Sequence, residues 1–161
     1  MQGRIIQINV SRGGLPKRPV PEVRLTPLGL EGDAVAHPGI HGGSEKAVLL
    51  ITAEGLDELG AEGFQLFPGA MGENLTTRGL SRRDLRPGMR LRAGDTLLEI
   101  TQLRRPCSSL DVYGPEIKAR IWRKGITPED SEWGLSGFYC SVTRPGFVRA
   151  NDIIQVVDAA V

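Results

Sequence analysis

No run of 18 apolar residues occurs anywhere in these 161 residues, so the sequence offers no membrane-spanning helix. The opening Met1-Gln2-Gly3-Arg4-Ile5-Ile6 alternates at once instead of building the apolar stretch of a secretion signal, and a cytoplasmic location is expected. An excess of one charge is missing too. Twenty Lys and Arg against 19 Asp and Glu leave a formal net charge of +1, which gives no footprint for nucleic acid or an anionic membrane surface. Cysteine is scarce: Cys107 and Cys140 stand 33 positions apart, which makes no disulfide framework, and a Cys-x2-Cys pair for structural zinc is lacking. Repeats, low-complexity tracts and linkers are absent, and so are flavin and nicotinamide fingerprints. The length fits one domain with a full core and argues against two.

Glycine and proline, by contrast, are abundant. Gly 21 and Pro 11 make up about a fifth of the chain, against an average of roughly 12%. With short apolar runs between them, they predict many strands and tight turns. Residues 3–10 read as a strand, 11–21 as a loop and 23–26 as a short strand stopped by Pro27. The run Lys46-Ala47-Val48-Leu49-Leu50-Ile51 reads as a strand buried on both faces. Thr52 can cap a helix running to about Glu62, with Leu56, Leu59 and Phe64 turned inward. Residues 72–77 predict a strand, and 89–92 with 96–103 a hairpin around Gly94-Asp95, whose second arm alternates Leu98, Ile100 and Gln102 with Leu97, Glu99 and Thr101. Residues 113–124 predict one helix; 138–143 and 152–157 predict two closing strands. The expected fold is mainly β with one or two helices, a single β-barrel-like domain over residues 1–161.

Cys107 is the first chemical candidate. It follows Arg104-Arg105-Pro106 at the end of a predicted strand, where two fixed positive charges would favour a thiolate, the form that binds soft metals and attacks electrophiles. A free cysteine can equally be a small core residue. His37 and His41 are four apart, but Pro38 and Gly39 between them rule out the helix that a zinc signature needs. Gly42 and Gly43 can let backbone N–H groups approach an anion, with Lys46 supplying charge, or they can form a plain turn. Thr52, opening a helix, is a cap or a second anion site. Asn74, after Gly72-Glu73, suits the edge of a heterocycle such as a pterin, or closes a turn on its own backbone. Arg82-Arg83-Asp84-Leu85-Arg86 reads as a solvated loop, and Cys140 as core.

Five pieces stand in a particular order: Gly32-Asp33, His41-Gly42-Gly43 with Lys46-Ala47-Val48, Gly72-Glu73-Asn74-Leu75, Gly88 through Gly94-Asp95, and Arg105-Pro106-Cys107. In that order they resemble the MOSC domain, the C-terminal module of molybdenum-cofactor sulfurases, and within it the small bacterial stand-alone YiiM-like type. The likeness runs from about Gly3 to Val157. It implies a β-rich, barrel-like domain that binds a molybdopterin-type molybdenum cofactor. It also implies that Cys107 ligates the metal, that Arg105 stabilises charge, and that His41, Gly42, Gly43, Lys46, Thr52, Glu73 and Asn74 line the cofactor's site. The expected activity is a molybdenum-dependent oxidoreductase reducing N-hydroxylated compounds such as hydroxylaminopurines or amidoximes. Electrons would come from a separate flavin or iron–sulfur protein. The alternative is a carrier, without turnover, that holds a persulfide on Cys107 or holds the cofactor for delivery. Against the family's longer members, the N-terminal barrel domain and the helical C-terminal extension are absent from these 161 residues, so a more open pocket is expected.

Overall fold

The computed structural model describes residues 1–34 and 43–158. Eleven strands lie among them: β1 (Gln2–Val10), β2 (Arg18–Val20), β3 (Glu22–Thr26), β4 (Gly29–Leu30), β5 (Val48–Thr52), β6 (Leu75–Arg78), β7 (Arg90–Ala93), β8 (Thr96–Leu103), β9 (Phe138–Arg144), β10 (Gly146–Arg149) and β11 (Ile153–Asp158). Two helices, α1 (Ala53–Ala61) and α2 (Ile117–Ile121), join them, with 3-10 turns at Ser44–Lys46, Arg82–Asp84 and Ser108–Tyr113. Seven strands hydrogen-bond in the order β11-β7-β8-β9-β5-β6-β1, and β1 pairs again with β11, which closes a barrel. Strand β2 flanks β1 outside that ring. The β5–β6 pairing is parallel and the neighbouring pairings are antiparallel.

Strand β5 is central because all five of its residues are buried. Its alternation sends Val48 and Leu50 into the barrel and Ile51 outward. Inside, Ile5, Leu50, Leu75, Leu98, Phe138 and Ile154 are fully buried, so the interior is packed with side chains. Strands β10, β3 and β4 form a separate sheet whose Val23, Leu25, Leu30 and Val148 join that core. Outside β5, a second cluster of Ile51, Leu56, Leu59, Met71, Leu110, Ile117 and Leu135 seats α1, α2 and the 3-10 turn at Ser108–Tyr113. At about 25 cal/mol per Å2 of apolar area, these two clusters supply most of the drive to fold. Chemistry is therefore left to the outer face and the strand ends.

The mainly β, barrel-like fold expected from the sequence is present. The helix cap is as expected: Thr52 accepts a hydrogen bond from Gly55 N, and Leu56, Leu59 and Phe64 are buried. The Gly94-Asp95 hairpin joins β7 to β8, with Gly94 at φ 55. Several details differ. Strands β2 and β10 occupy stretches that read as loop and turn, because three or four residues carry no usable period. The single helix expected over 113–124 is instead a 3-10 turn and the five-residue α2, separated at Gly114, whose φ of 131 no helix allows. Gln102 is exposed, because a register shift between Ile100 and Gln102 breaks the alternation with Leu98 and Ile100. Arg82 is buried rather than solvated: it donates to Ser131 O and Trp133 O and pairs with Glu58.

Candidate functional site

The turn after β8 separates its two arginines. Arg105 is exposed, with its guanidinium over the Trp122 ring at 5.2 Å. Arg104 is 3% exposed. Its backbone N donates to Gly137 O at 2.9 Å, and Ser136 Oγ donates to its carbonyl at 2.6 Å. The partner loop can lie this close because residue 137 is glycine. With φ 99, an added Cβ there would fall 2.7 Å from Ile51 Cγ1 and 3.0 Å from Leu50 O.

The Arg104 guanidinium stands out among the described residues. Its Nε and Nη1 are buried and find no acceptor among the described residues. An unsatisfied buried donor costs about 1–3 kcal/mol, more when charged. Burial pulls its pKa below the ordinary range, while Tyr139, Cys107 and Glu73 oppose that fall. None of the three accepts a hydrogen bond from Nε or Nη1. The chain keeps two vacant, charged donors in a desolvated place, an arrangement suited to an anion.

Cys107 is half-buried and opens the 3-10 turn Ser108–Tyr113, its Sγ 2.8 Å from Ser109 Oγ. The sequence put both positive charges beside this sulfur. The structure brings Arg104 within electrostatic reach of it and stacks Arg105 on Trp122. Cys140 is fully buried, as expected of core, and burial pushes its thiol up to about 12.

Glu73, within electrostatic reach of Arg104, and its neighbour Asn74 are both heavily committed. Glu73 is fully buried: Met71 N donates to Oε1 at 3.2 Å and Thr76 Oγ1 donates to Oε2 at 3.0 Å. Burial pushes its carboxyl above the usual carboxylate range, opposed by the backbone amides of Gly69 and Glu73, the Thr76 hydroxyl and Arg104. Asn74 neither closes a local turn nor offers its amide to solvent. Its Oδ1 accepts from Leu49 N at 3.0 Å, and its Nδ2 donates to Asp33 Oδ2 at 3.0 Å and Asn9 O at 3.3 Å. It thus clips β5, β1 and the segment after β4 together. Asp33 also takes Lys17 Nζ at 2.6 and 2.7 Å and Ser11 N at 2.8 Å. Both partners of that ion pair are largely buried. Sequence reasoning missed this network, since Lys17 fell in a stretch that read as loop and Asp33 lies 16 residues on, beyond the strand expected at 23–26. The Gly32-Asp33 pair was its one signal.

Lys46 extends the site outward, its Nζ 5.5 Å from the centre of the Tyr139 ring. Tyr139 itself is buried on the outer face, opposite Leu49. Gly43 is exposed at φ 88 and accepts from Lys46 N. Thr52 is buried, its hydroxyl oxygen occupied by Gly55 N. His37, His41 and Gly42 lie outside the described residues. Among the described residues, no three His, Cys, Asp or Glu side chains gather as a metal site, and no helix is long and apolar enough to cross a membrane.

A soft sulfur beside a buried guanidinium with two vacant donors fits an anionic complex of a soft-ligand metal. Comparisons with known proteins show the family. The MOSC domain matches residues 37–155. Protein YiiM of Escherichia coli strain K12 is 32% identical over 140 residues, covering 84% of this chain and 59% of YiiM. The uncharacterized protein YflK of Bacillus subtilis strain 168 is 32% identical over 148 residues, 89% of this chain and 63% of YflK. The chain thus spans about six-tenths of the length of these curated relatives. The crystal structure of YiiM from Geobacillus stearothermophilus superposes with a TM-score of 0.77 at 25% identity, over 97% of this chain and 75% of that one. With its closed barrel, its ordered motifs and a family match over most of its length, the chain belongs to the MOSC domain family.

Proposed function

We propose that this chain binds a molybdopterin-type molybdenum cofactor against Arg104 and Cys107 and acts in the cytoplasm as an oxidoreductase for N-hydroxylated compounds. The observation that carries the reading is the buried Arg104 guanidinium, with two N–H groups lacking acceptors, beside a half-buried thiol. MOSC domains are associated with this cofactor, and its anionic groups supply the acceptors that Arg104 Nε and Nη1 lack. Cys107 would hold the metal. Arg104 would bind the cofactor's anionic groups, and Arg105 would meet charge at the rim. Lys46 and the backbone of His41, Gly42 and Gly43 would add donors around the pterin and its phosphate, while Thr52, buried with its hydroxyl capping α1, would contribute by fixing the helix start. Glu73 and Asn74 would shape the wall, because their polar atoms already serve the protein.

When bound, the molybdenum centre supplies two-electron redox chemistry at a protected site. The overall reaction is reductive dehydroxylation: R–NHOH with two electrons and two protons gives R–NH2 and water. The electrons come from a separate flavin or iron–sulfur protein. The test is molybdenum content and hydroxylamine reduction, with a chemical electron donor, of protein purified from a cofactor-competent host. About one molybdenum per chain is expected, lost in Cys107→Ser. Wild-type protein without metal, inactive after reconstitution with cofactor, refutes the reading.

A carrier role rests on one specific observation, the half-buried Cys107 with its Sγ 2.8 Å from the Ser109 hydroxyl, which suits a persulfide as well as a metal. Intact-protein mass spectrometry separates the two. A gain of one sulfur atom on Cys107 without molybdenum supports the carrier.

A further inference from the structure

Away from Cys107, the seam that closes the barrel holds a cleft of about 440 Å3 where β1, β11 and β7 meet. Ile154 is fully buried in the barrel, so its neighbours Ile153 and Gln155 face outward. Arg4 stands opposite Ile153, and Arg92 opposite Gln155. All four line the cleft, together with Asn151 and Asp152. Arg4 spends Nη1 on Asn151 O at 2.8 Å. The Arg92 guanidinium makes no hydrogen bond or ion pair with the described residues, and neither arginine has a carboxylate within 4 Å among them. The one acid of the cleft, Asp152, has Oδ2 committed to Arg149 N at 2.8 Å. Asn151 holds a left-handed φ of 74, which fixes the turn that receives Arg4.

With two guanidiniums against the single carboxylate of Asp152, the cleft keeps a net positive charge, and an anion between the arginines replaces their mutual repulsion with attraction. We propose that this cleft is a binding site for a small organic oxyanion, a carboxylate or phosphate, held between Arg4 and Arg92. Arginine's planar fork suits either group, and the Gln155 and Asn151 amides offer further donors. Ile153, 43% exposed, gives an apolar floor for the ligand's carbon skeleton. The site is separate from Cys107. Arg92 pairs with Leu97 near the start of β8, whereas Cys107 follows its end, about 20–25 Å away along a strand of eight residues.

The test is isothermal titration of the full chain with citrate and, separately, with pyrophosphate; whichever binds identifies the chemistry. The same titrations on Arg104→Met exclude the other anion site. Saturable binding is expected in wild type and in Arg104→Met, weakened about tenfold or more in Arg92→Gln and in Arg4→Gln, and weakened further by about 0.5 M NaCl. Circular dichroism of Arg92→Gln guards against misfolding, and that residue is exposed and unbonded, so its fold should persist. Absence of saturable binding by both anions overturns the proposal. So does binding that survives Arg4→Gln/Arg92→Gln, or that disappears only in Arg104→Met.

Discussion

Replacing Arg104 by Met tests the centre of the argument, because it removes two vacant donors and one buried charge while keeping much of the volume. In the ligand-free protein two effects oppose each other. Deleting two orphaned N–H groups relieves about 2 kcal/mol, taking roughly 1 kcal/mol for each. Losing the attraction to Glu73 removes a similar amount: at an effective dielectric near 20, opposite charges beyond 4 Å attract by less than about 4 kcal/mol. The urea midpoint should therefore move by less than about 1 M, taking a slope near 2 kcal/mol per M. Cofactor retention should behave quite differently. Two charge-assisted hydrogen bonds at about 1.5 kcal/mol each, the low end of their range, correspond to about a 150-fold loss of affinity. Molybdenum per chain, measured by mass spectrometry on protein from a cofactor-competent host, should fall to background while the fold persists. Wild-type metal content in Arg104→Met would show that the orphaned guanidinium does not serve the cofactor.

Three further outcomes follow from the same geometry. Lys17→Met leaves Asp33 charged and largely buried with only Ser11 N and Asn74 Nδ2 as donors, so urea unfolding should show a loss of about 3–5 kcal/mol; a loss below 1 kcal/mol would mark the pair as no better than a surface contact. In native protein an aromatic disulfide reagent should titrate one thiol, Cys107, and two only after denaturation, since Cys140 is fully buried with its thiol pushed up to about 12; two fast native thiols contradict the burial. Glu73 holds its proton to higher pH in the folded chain than in the unfolded one, so between the ordinary carboxylate range and its raised value the native state binds more protons and stability falls as pH rises. The stability of wild type relative to Glu73→Gln should decline accordingly from about pH 4.5 upward; a flat or rising difference refutes the assignment.

Local pattern was enough to identify much of this molecule. The continuous apolar run at Val48–Ile51, the Thr52 cap, the Gly94-Asp95 hairpin and the inward positions of Leu98 and Ile100 each follow from spacing within a few residues, and each stands in the structure. The order of five short motifs was likewise enough for the family, because motif order survives where overall identity is low. Tertiary structure decided what no window of sequence holds. Adjacent arginines with the same side chain took opposite fates, since Gly137 against β5 draws Arg104 inward while Trp122 receives Arg105. Asn74 became a long-range clip because Leu49 and Asp33, 25 and 41 residues away, arrive at its amide only once the barrel closes. Backbone propensity and hydrophobic period act over a few residues, whereas burial and hydrogen-bond partners depend on contacts across the whole chain.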